Sequence, residues 1–435
     1  MSSKSALLAA LDAASDKHIR FLQEFVQAPS PNPPGDTRAA ADVVTSFLTE
    51  HNIPYEIVDP DRGDGSDTSL YPNIVSEFTG GAGPGPRIVM NGHLDVFPVD
   101  PASLSQWEHP PWSGHIEGDT IYGRGVVDMK LGTAALAVAY THLYERRHLL
   151  RGSILFCAVS DEETGGRWGT SYLLKNDLHR FGGDVMLSAE PVGVGSVRFS
   201  EKGTLRMWCN VTTRGAHGAY TNLSVGAIRT AAAYIGEVTK TIEGMEVNLP
   251  EDIKKQLARE DVRERIDSIM GDGTAAVIAR PTVNIAIMEG GTGGGSINMI
   301  PDACRFSLDI RMPIGLTRRE VIPILEELTK KYSEAQFEFS VVEAASNPAS
   351  ASPLDHPLLQ LLIDNAHALS PDEDLPLAIP SMGATDCKHY RYASIPAYVY
   401  SGSPRTMAQV NEHGSLKEYL HVAKTHAAAA WDYLQ

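Results

Sequence analysis

The residues best suited to chemistry are an imidazole and several carboxylates, each placed where an apolar segment ends. His93 and Asp95 directly follow the continuously apolar run Ile88–Met90, which is typical of a buried strand in a parallel sheet. In an extended segment, residues two apart lie on the same side of the chain. One side chain of the pair can then bind a metal ion while the other orients it. Taken alone, the pair is more often a polar turn after a strand.

Three further segments end in the same way, and together they point to a metal site. Glu162 and Glu163 follow the apolar stretch 153–159, and Glu190 follows the stretch 185–189. Asp128 follows a turn containing glycines and precedes a strongly helical run. Adjacent carboxylates repel one another unless a surface loop or a cation holds them together. Open α/β sheets carry their sites at the carboxyl ends of strands, so we expect these side chains to converge there.

The elements that must position these side chains alternate between helices and strands in the first part of the chain. The apolar spacing predicts a helix over 5–26, ended by the proline-rich stretch 29–34, and a second helix from Asp36 or Thr37 to His51. Strands are predicted over 73–78, 88–90, 153–159 and 185–189, with a helix over 131–144.

At Gly203 the pattern changes to that of a second domain. Strands are predicted over 204–211, 282–288, 303–311 and 337–342, with helices over 224–240 and 317–332 and a charged helical stretch over 250–270. Without that stretch, the order is β-α-β-β-α-β, an inserted α/β sandwich. We therefore predict one domain from residues 1–203 and 346–435, and an inserted domain over 204–345. The first domain closes with a strand over 397–400 and a helix over 415–434.

Composition limits the class of protein and its partners. A chain of 435 residues with a net charge of −17 favours two domains and argues against nucleic acid and anionic membranes as partners. Four scattered cysteines indicate reduced thiols and no thiolate metal site. No signal core and no run of 18 apolar residues is present, which predicts a cytoplasmic protein.

As an ordered set, these motifs resemble the co-catalytic zinc deacylases and exopeptidases. That family includes acetylornithine deacetylase, succinyl-diaminopimelate desuccinylase, glutamate-releasing carboxypeptidases and aminoacylase. The matching motifs are Asn32–Gly35, His93–Asp95, Gly123–Gly125 with Asp128–Lys130, Glu162–Glu163, Ala189–Pro191, Gly215–His217, Asn298 with Ile300–Asp302, Asp309–Arg311 and Gly383–Asp386. The resemblance implies an α/β catalytic domain with a mixed, largely parallel sheet flanked by helices. It also implies an inserted ferredoxin-like lid domain through which two chains form a homodimer.

The resemblance further implies a role for each candidate residue. Asp128 would bridge two zinc ions, His93 and Glu190 would complete the first site, and Glu163 would belong to the second. A water bound there has a pKa of about 7. Glu162 would be the general base, and Asp95 would hydrogen-bond His93.

Further roles in substrate binding come from the inserted domain and the motif at 383–386. His217 would stabilise the oxyanion in the partner subunit's site. Arg311, Asn298 and Gly383 would bind the substrate, with the Arg311 guanidinium suited to a carboxylate.

The segment before the last helix allows two assignments of the remaining ligand of the second metal site. If Asn411 and Glu412 match the family's paired residues, the ligand position falls on Ala408, and no histidine is present. In the other register His413 is the ligand and Glu418 the glutamate that follows it. We expect two zinc ions with His413 on the second, or a single ion if Ala408 marks a loss. Co²⁺ can substitute for zinc.

Three functions remain open from the sequence. The first is hydrolysis of an N-acyl group from a small amino-acid-like substrate, and the second is a dipeptidase or carboxypeptidase of the same family. The third is a single-metal member with redirected biosynthetic chemistry, or one that only binds a ligand. Glu162 argues against simple loss of catalysis.

Overall fold

The computed structural model describes residues 3–61, 63, 65, 67–291 and 296–435, and the chain divides into two compact units. Unit 1 comprises residues up to 199 together with 352–379 and 385–435, and unit 2 comprises 200–351 and 380–384. The observed boundaries lie a few residues from those predicted, and the short segment 380–384 belongs to unit 2.

The described part of the chain forms helices and strands in alternation. The helices are α1 (Lys4–Ala13), α2 (Ser15–Gln27), α3 (Arg38–Glu50), α4 (Leu131–Glu145), α5 (Thr170–Asn176), α6 (Leu178–Phe181), α7 (Ala227–Glu243), α8 (Glu251–Ala258), α9 (Glu260–Met270), α10 (Thr274–Val277), α11 (Arg318–Thr329), α12 (Pro357–Leu369), α13 (Cys387–Tyr392) and α14 (Leu416–Tyr433). The strands are β1 (Glu56–Val58), β2 (Asn73–Thr79), β3 (Arg87–His93), β4 (His115–Glu117), β5 (Thr120–Tyr122), β6 (Ser153–Val159), β7 (Val185–Ser188), β8 (Ser196–Glu201), β9 (Gly203–Thr212), β10 (Ala216–His217), β11 (Thr282–Asn284), β12 (Met288–Gly290), β13 (Met299–Ile300), β14 (Ala303–Met312), β15 (Gln336–Val341), β16 (Ser350–Ala351), β17 (Leu377–Ser381), β18 (Ala397–Val399) and β19 (His413–Ser415).

Unit 1 is built on a mixed sheet with the strand order β1-β2-β6-β3-β7-β18-β8. The central pairings β6–β3, β3–β7 and β7–β18 are parallel, whereas the flanking pairings β1–β2, β2–β6 and β18–β8 are antiparallel. Ile88, Val89 and Met90 on β3 are fully buried, as expected for a central strand covered on both faces. Helix α4 packs against β3, β6 and the last helix, α14, and most of its side chains are buried. The predicted α/β class is confirmed.

Unit 2 contains the predicted β-α-β-β-α-β order. Its antiparallel sheet has the order β11-β14-β9-β15, with β12 also pairing with β14. Helices α7 and α11 contribute Tyr234, Val238, Val321 and Leu325 to the apolar core over this sheet. This arrangement is ferredoxin-like.

Several predicted elements differ in detail. The helix predicted over 5–26 is interrupted at Ala14, whose backbone (φ −101°, ψ 7°) is not helical. The strand predicted over 282–288 is two short strands, and between them Ile287 donates its N–H to the Ser307 hydroxyl while its carbonyl oxygen accepts the Ser307 N–H. The helical stretch 250–270 is divided at Arg259. Within the described residues, no helix combines the length and the apolarity needed to cross a membrane.

Candidate active site

Three neighbouring parallel strands bring the predicted site residues to one edge of the unit 1 sheet. Strand β3 lies between β6 and β7, with His93 opposite Val159 and Asn91 opposite Ser188. Glu162 follows the end of β6, and Glu190 follows the end of β7. Because the register places all three carboxyl ends side by side, residues far apart in sequence meet there.

Close packing of α4 brings Asp128 to the same edge. Gly132, in the first turn of α4, lies so close to the strand end before Glu190 that an added Cβ would sit 1.9 Å from the Ala189 carbonyl oxygen. Thr133 donates its hydroxyl hydrogen to the His93 carbonyl oxygen at 2.7 Å. Only glycine at position 132 permits this approach. The turn before α4 therefore presents Asp128 next to the other candidate ligands.

His93, Asp128 and Glu190 form a compact group of side chains that could hold a metal ion. His93 Nε2 lies 3.1 Å from Asp128 Oδ1 and 3.6 Å from Glu190 Oε1. The other ring nitrogen, Nδ1, lies 2.8 Å from the Asp95 carbonyl oxygen, so in the neutral ring Nδ1 carries the hydrogen. The lone pair of Nε2 then faces two carboxylates. Such a set of three acceptors suits a cation.

Asp95 contacts the loop after β6 more than it contacts His93. Its carboxylate accepts the backbone N–H groups of Glu162 and Glu163, each at 3.1 Å, and the side-chain amide of Asn32 at 2.8 Å. The distance from His93 Nδ1 to the nearer Asp95 carboxylate oxygen is 3.6 Å. Asp95 thus orients His93 through its backbone carbonyl, while its carboxylate holds the two glutamates in place.

The buried carboxylates at this edge have strongly altered acidity. Burial raises the pKa of Glu163 to about 11, aided by repulsion from Asp128, and raises the pKa of Glu190 to about 7 against the effect of His93. Burial also raises the pKa of Glu162 well above its usual value, although Lys388 acts in the opposite direction. Burial alone lowers the pKa of His93, but Glu190 and the neighbouring aspartates outweigh it and raise the pKa well above normal.

These properties fit a divalent metal ion. One carboxylate oxygen of Glu163, Oε1, is buried without a hydrogen-bond donor in the described structure. Several carboxylates are buried close together, and Lys388 Nζ, 3.7 Å from Glu162 Oε1, is a nearby cation. Such a cluster must bind either protons or a cation to be stable. Sequence reasoning missed Lys388, although it lies two residues after the Gly383–Asp386 motif.

The chain is similar to known proteins in sequence and in fold. Residues 89–432 match the peptidase family M20/M25/M40. The chain belongs to this family. It is 27% identical, over 240 residues, to a probable succinyl-diaminopimelate desuccinylase of Staphylococcus aureus (strain MRSA252), a match covering 55% of this chain and 56% of the relative. The match therefore spans just over half the length of that relative.

Two solved structures show the same fold. A metallo-carboxypeptidase of the M20 family from Sulfolobus solfataricus superposes with a TM-score of 0.75 at 18% identity, covering 96% of this chain and 99% of its own. Human carnosine dipeptidase 1 superposes with a TM-score of 0.75 at 18% identity, and the match covers 99% of each chain. The predicted family is confirmed.

Glu412 contacts the turn that presents Asp128. Its buried carboxylate forms an ion pair with Arg124 and accepts the backbone N–H of Val127 at 2.9 Å. Arg124 also donates to the Ala408 carbonyl oxygen at 3.2 Å. These contacts place Glu412 and Ala408 around the Asp128 turn, which favours the register in which Ala408 occupies the ligand position.

His413 lies on β19, opposite Tyr122 of β5. Its side chain is exposed, and Nδ1 lies 2.8 Å from the Asn411 carbonyl oxygen. Among the described residues, the groups of three or more side chains close enough to share a metal ion are His93–Asp128–Glu190 and His109–His115–Glu117. Neither group includes His413 or Glu163.

The remaining candidate residues lie in unit 2. His217 and Asn298 are neighbours, since Gly218 donates its N–H to the Asn298 carbonyl oxygen at 2.6 Å and β10 pairs with β13. Arg311 forms a two-point ion pair with Asp309 through Nε and Nη2, each at 3.0 Å. Gly383 is exposed, with open space where a Cβ would lie.

Proposed function

We propose that this M20 member is a zinc-dependent amidohydrolase that releases an N-acyl group from a small amino-acid-like substrate bearing a carboxylate. The observation that carries this proposal is the convergence of His93 Nε2, Asp128 and Glu190, with the buried Glu162 carboxylate close by. The similarity to a probable desuccinylase supports the N-acyl class of substrate.

Zinc fits the ligand set of one imidazole and two carboxylates. His93, Asp128 and Glu190 would hold the first ion. Asp128 and Glu163 would hold a second ion weakly, because within the described residues no group of metal-ligating side chains adds an imidazole to them. A bound zinc ion, or Co²⁺ in its place, supplies Lewis acidity to the scissile carbonyl and to the attacking water.

Glu162 would act as the general base. Its carboxylate takes a proton from the attacking water and passes it to the amine that leaves. Burial raises the pKa of Glu162 well above its ordinary value, which makes the carboxylate a stronger base, and Lys388 acts in the opposite direction. The backbone contacts from Asp95 hold the Glu162 loop in one position.

His217 would donate a hydrogen bond to the oxyanion. Its Nδ1 accepts the backbone N–H of Ala219 at 3.2 Å, so a neutral ring carries its hydrogen on the exposed Nε2. As the family resemblance implies, we propose that His217 acts in the site of the partner subunit of a homodimer. Asn298, Arg311 and Gly383 would contact the substrate, with Arg311 Nη1 directed to its carboxylate.

A dipeptidase or carboxypeptidase activity uses the same residues. The similarity in fold to a metallo-carboxypeptidase and a dipeptidase supports this alternative. Both reactions cleave an amide bond beside a carboxylate. The arrangement of His93, Asp128 and Glu190 serves either reaction, so the distinction depends on which substrates are cleaved.

A substrate panel on the zinc-loaded protein tests the proposal. We expect hydrolysis of N-acetyl or N-succinyl amino acids, abolished by chelation and restored by Zn²⁺ or Co²⁺. Cleavage of dipeptides alone would move the assignment to a dipeptidase, and no cleavage of either class would favour a non-hydrolytic role.

Glu162→Gln should retain zinc and lose about 10²–10⁴-fold in kcat. The exposed Glu334→Gln serves as the matched control, and normal turnover in Glu162→Gln would refute the general-base role.

A further inference from the structure

A second group of side chains that could hold a metal ion lies in unit 1, at the β4–β5 hairpin and the loop before it. It consists of His109, His115 and Glu117, whose ligand atoms all lie within 4.8 Å of one another. The rings of His109 and His115 stack with their centroids 3.9 Å apart and their planes 21° apart. His115 and Glu117 are exposed, and His109 is half-buried. None of these residues belongs to the active-site group.

The sequence places these three side chains on one face of a small sheet. His115 and Glu117 are two residues apart on β4, so they point to the same side. The strand order is β19-β5-β4, and the register sets His115 opposite Tyr122. The His109 ring also lies 4.8 Å from the Tyr122 ring, between centroids, which holds it over the hairpin.

We propose that His109, His115 and Glu117 form a peripheral binding site for a divalent transition-metal ion, with Zn²⁺ as the fitting ion. Two imidazoles and one carboxylate are borderline ligands that suit Zn²⁺ and bind Mg²⁺ or Ca²⁺ poorly. Tetrahedral bonds of about 2.0–2.1 Å require ligand atoms about 3.4 Å apart, so the side chains close by roughly an ångström. Exposed side chains on a hairpin can make that adjustment by rotating about χ1 and χ2.

An ion bound there would join two segments of unit 1. His109 lies in the long loop that precedes β4, whereas His115 and Glu117 lie in the hairpin itself. Strand β5 continues through Gly123 and Gly125 into the turn carrying Asp128. The bound ion therefore stabilises the loop against the hairpin, without any of its ligands taking part in hydrolysis. The inference does not depend on the proposed function.

Zinc binding to the purified full chain tests this site. Equilibrium dialysis against Zn²⁺ should show one ion fewer per chain in His115→Ala and in His109→Ala than in the wild type. His179→Ala, which removes an exposed histidine elsewhere, should bind as many ions as the wild type. Glu117→Gln keeps both imidazoles and should weaken the site without abolishing it. Hydrolysis by His115→Ala should match the wild type, which separates this site from the active site.

Copper provides a second measurement that identifies the ligands. Cu²⁺ bound at this site should give an electron paramagnetic resonance spectrum with coupling to two nitrogens, reduced to one nitrogen in either histidine variant. Added Zn²⁺ should raise the Tm of His93→Ala more than that of the double variant His93→Ala/His115→Ala. Equal zinc stoichiometry in the wild type and both folded histidine variants would overturn the proposal, as would an unchanged copper spectrum.

Discussion

The guanidinium of Arg124 and the carboxylate of Glu412 form a buried ion pair that joins the turn carrying Asp128 to the segment before α14. The second oxygen of Glu412 accepts the N–H of Val127, so both carboxylate oxygens are used. The other terminal nitrogen of the Arg124 guanidinium, Nη2, donates to the Ala408 carbonyl oxygen. Two residues 288 positions apart thereby position Asp128, a candidate metal ligand.

Glu412→Gln should destabilise the protein and weaken zinc binding. Removing one charge of a buried pair leaves Arg124 without compensation, which costs about 3–5 kcal/mol in the free energy of unfolding. The loosened turn would also present Asp128 less well. Urea denaturation and zinc content measure the two effects. The control Glu343→Gln breaks the exposed pair with Arg318 and should change both very little. A Glu412→Gln protein with wild-type stability and zinc affinity would contradict the positioning role.

The number of zinc ions tests the register around Ala408. In a His115→Ala background, which removes the peripheral site, we expect one firmly bound ion per chain. His413→Ala should leave this number unchanged, because His413 lies beside Tyr122 and outside the active-site group. Ala408→His should add a second firmly bound ion. The backbone at Ala408 has φ +61°, a left-handed conformation in which histidine is tolerated better than branched residues. A loss of one ion in His413→Ala would instead identify His413 as the ligand.

Mixing two inactive variants tests the role of His217. Glu162→Gln lacks the proposed general base, and His217→Ala lacks the proposed oxyanion donor. If His217 acts in the partner's active site, mixed dimers contain one site with both groups intact, and partial activity should return. Exchange of subunits is verified separately by mixing differently tagged chains. Exchange without recovered hydrolysis would show that His217 acts within its own chain or not at all.

The buried pair His18 and His142 should make stability depend on pH. Their Nε2 atoms are 3.1 Å apart, and burial lowers the pKa of His18 to about 3 and that of His142 to about 4. Below the ordinary value of 6.5, the unfolded chain binds protons that the folded chain excludes. The free energy of unfolding should therefore fall as the pH drops from about 6.5 to about 4, by roughly 2 kcal/mol per histidine at pH 5.

Urea denaturation at pH 5 and pH 7 measures this dependence. The double variant His18→Asn/His142→Asn should lose less stability between the two pH values than the wild type loses. His148→Asn, at an exposed position, should keep the wild-type dependence. Both proteins contain the same metal site, so its contribution to the pH dependence of stability cancels when the double variant is compared with the wild type. Equal pH dependence in the double variant and the wild type would show that the pair does not contribute.

The sequence by itself determined the two folds and the neighbourhood of the active site. His93 ends a strand, and Glu162, Glu163 and Glu190 each follow one, so their meeting was predicted from the strand pattern and the rule that parallel strands end at a common edge. Family resemblance added an expected role for each side chain. The interruption at Ala14 was not predicted, because the apolar spacing continues across it.

Only the tertiary structure decided contacts between segments with no fixed spacing. Asp95 contacts the backbone of Glu162, Lys388 approaches Glu162, and Arg124 pairs with Glu412 across most of the chain. The pairing of β19 with β5 decided where His413 lies, since two registers fitted the sequence equally. The contact between His109 and His115 was likewise decided by the tertiary structure. Such contacts depend on packing and strand register, which local periodicity does not specify.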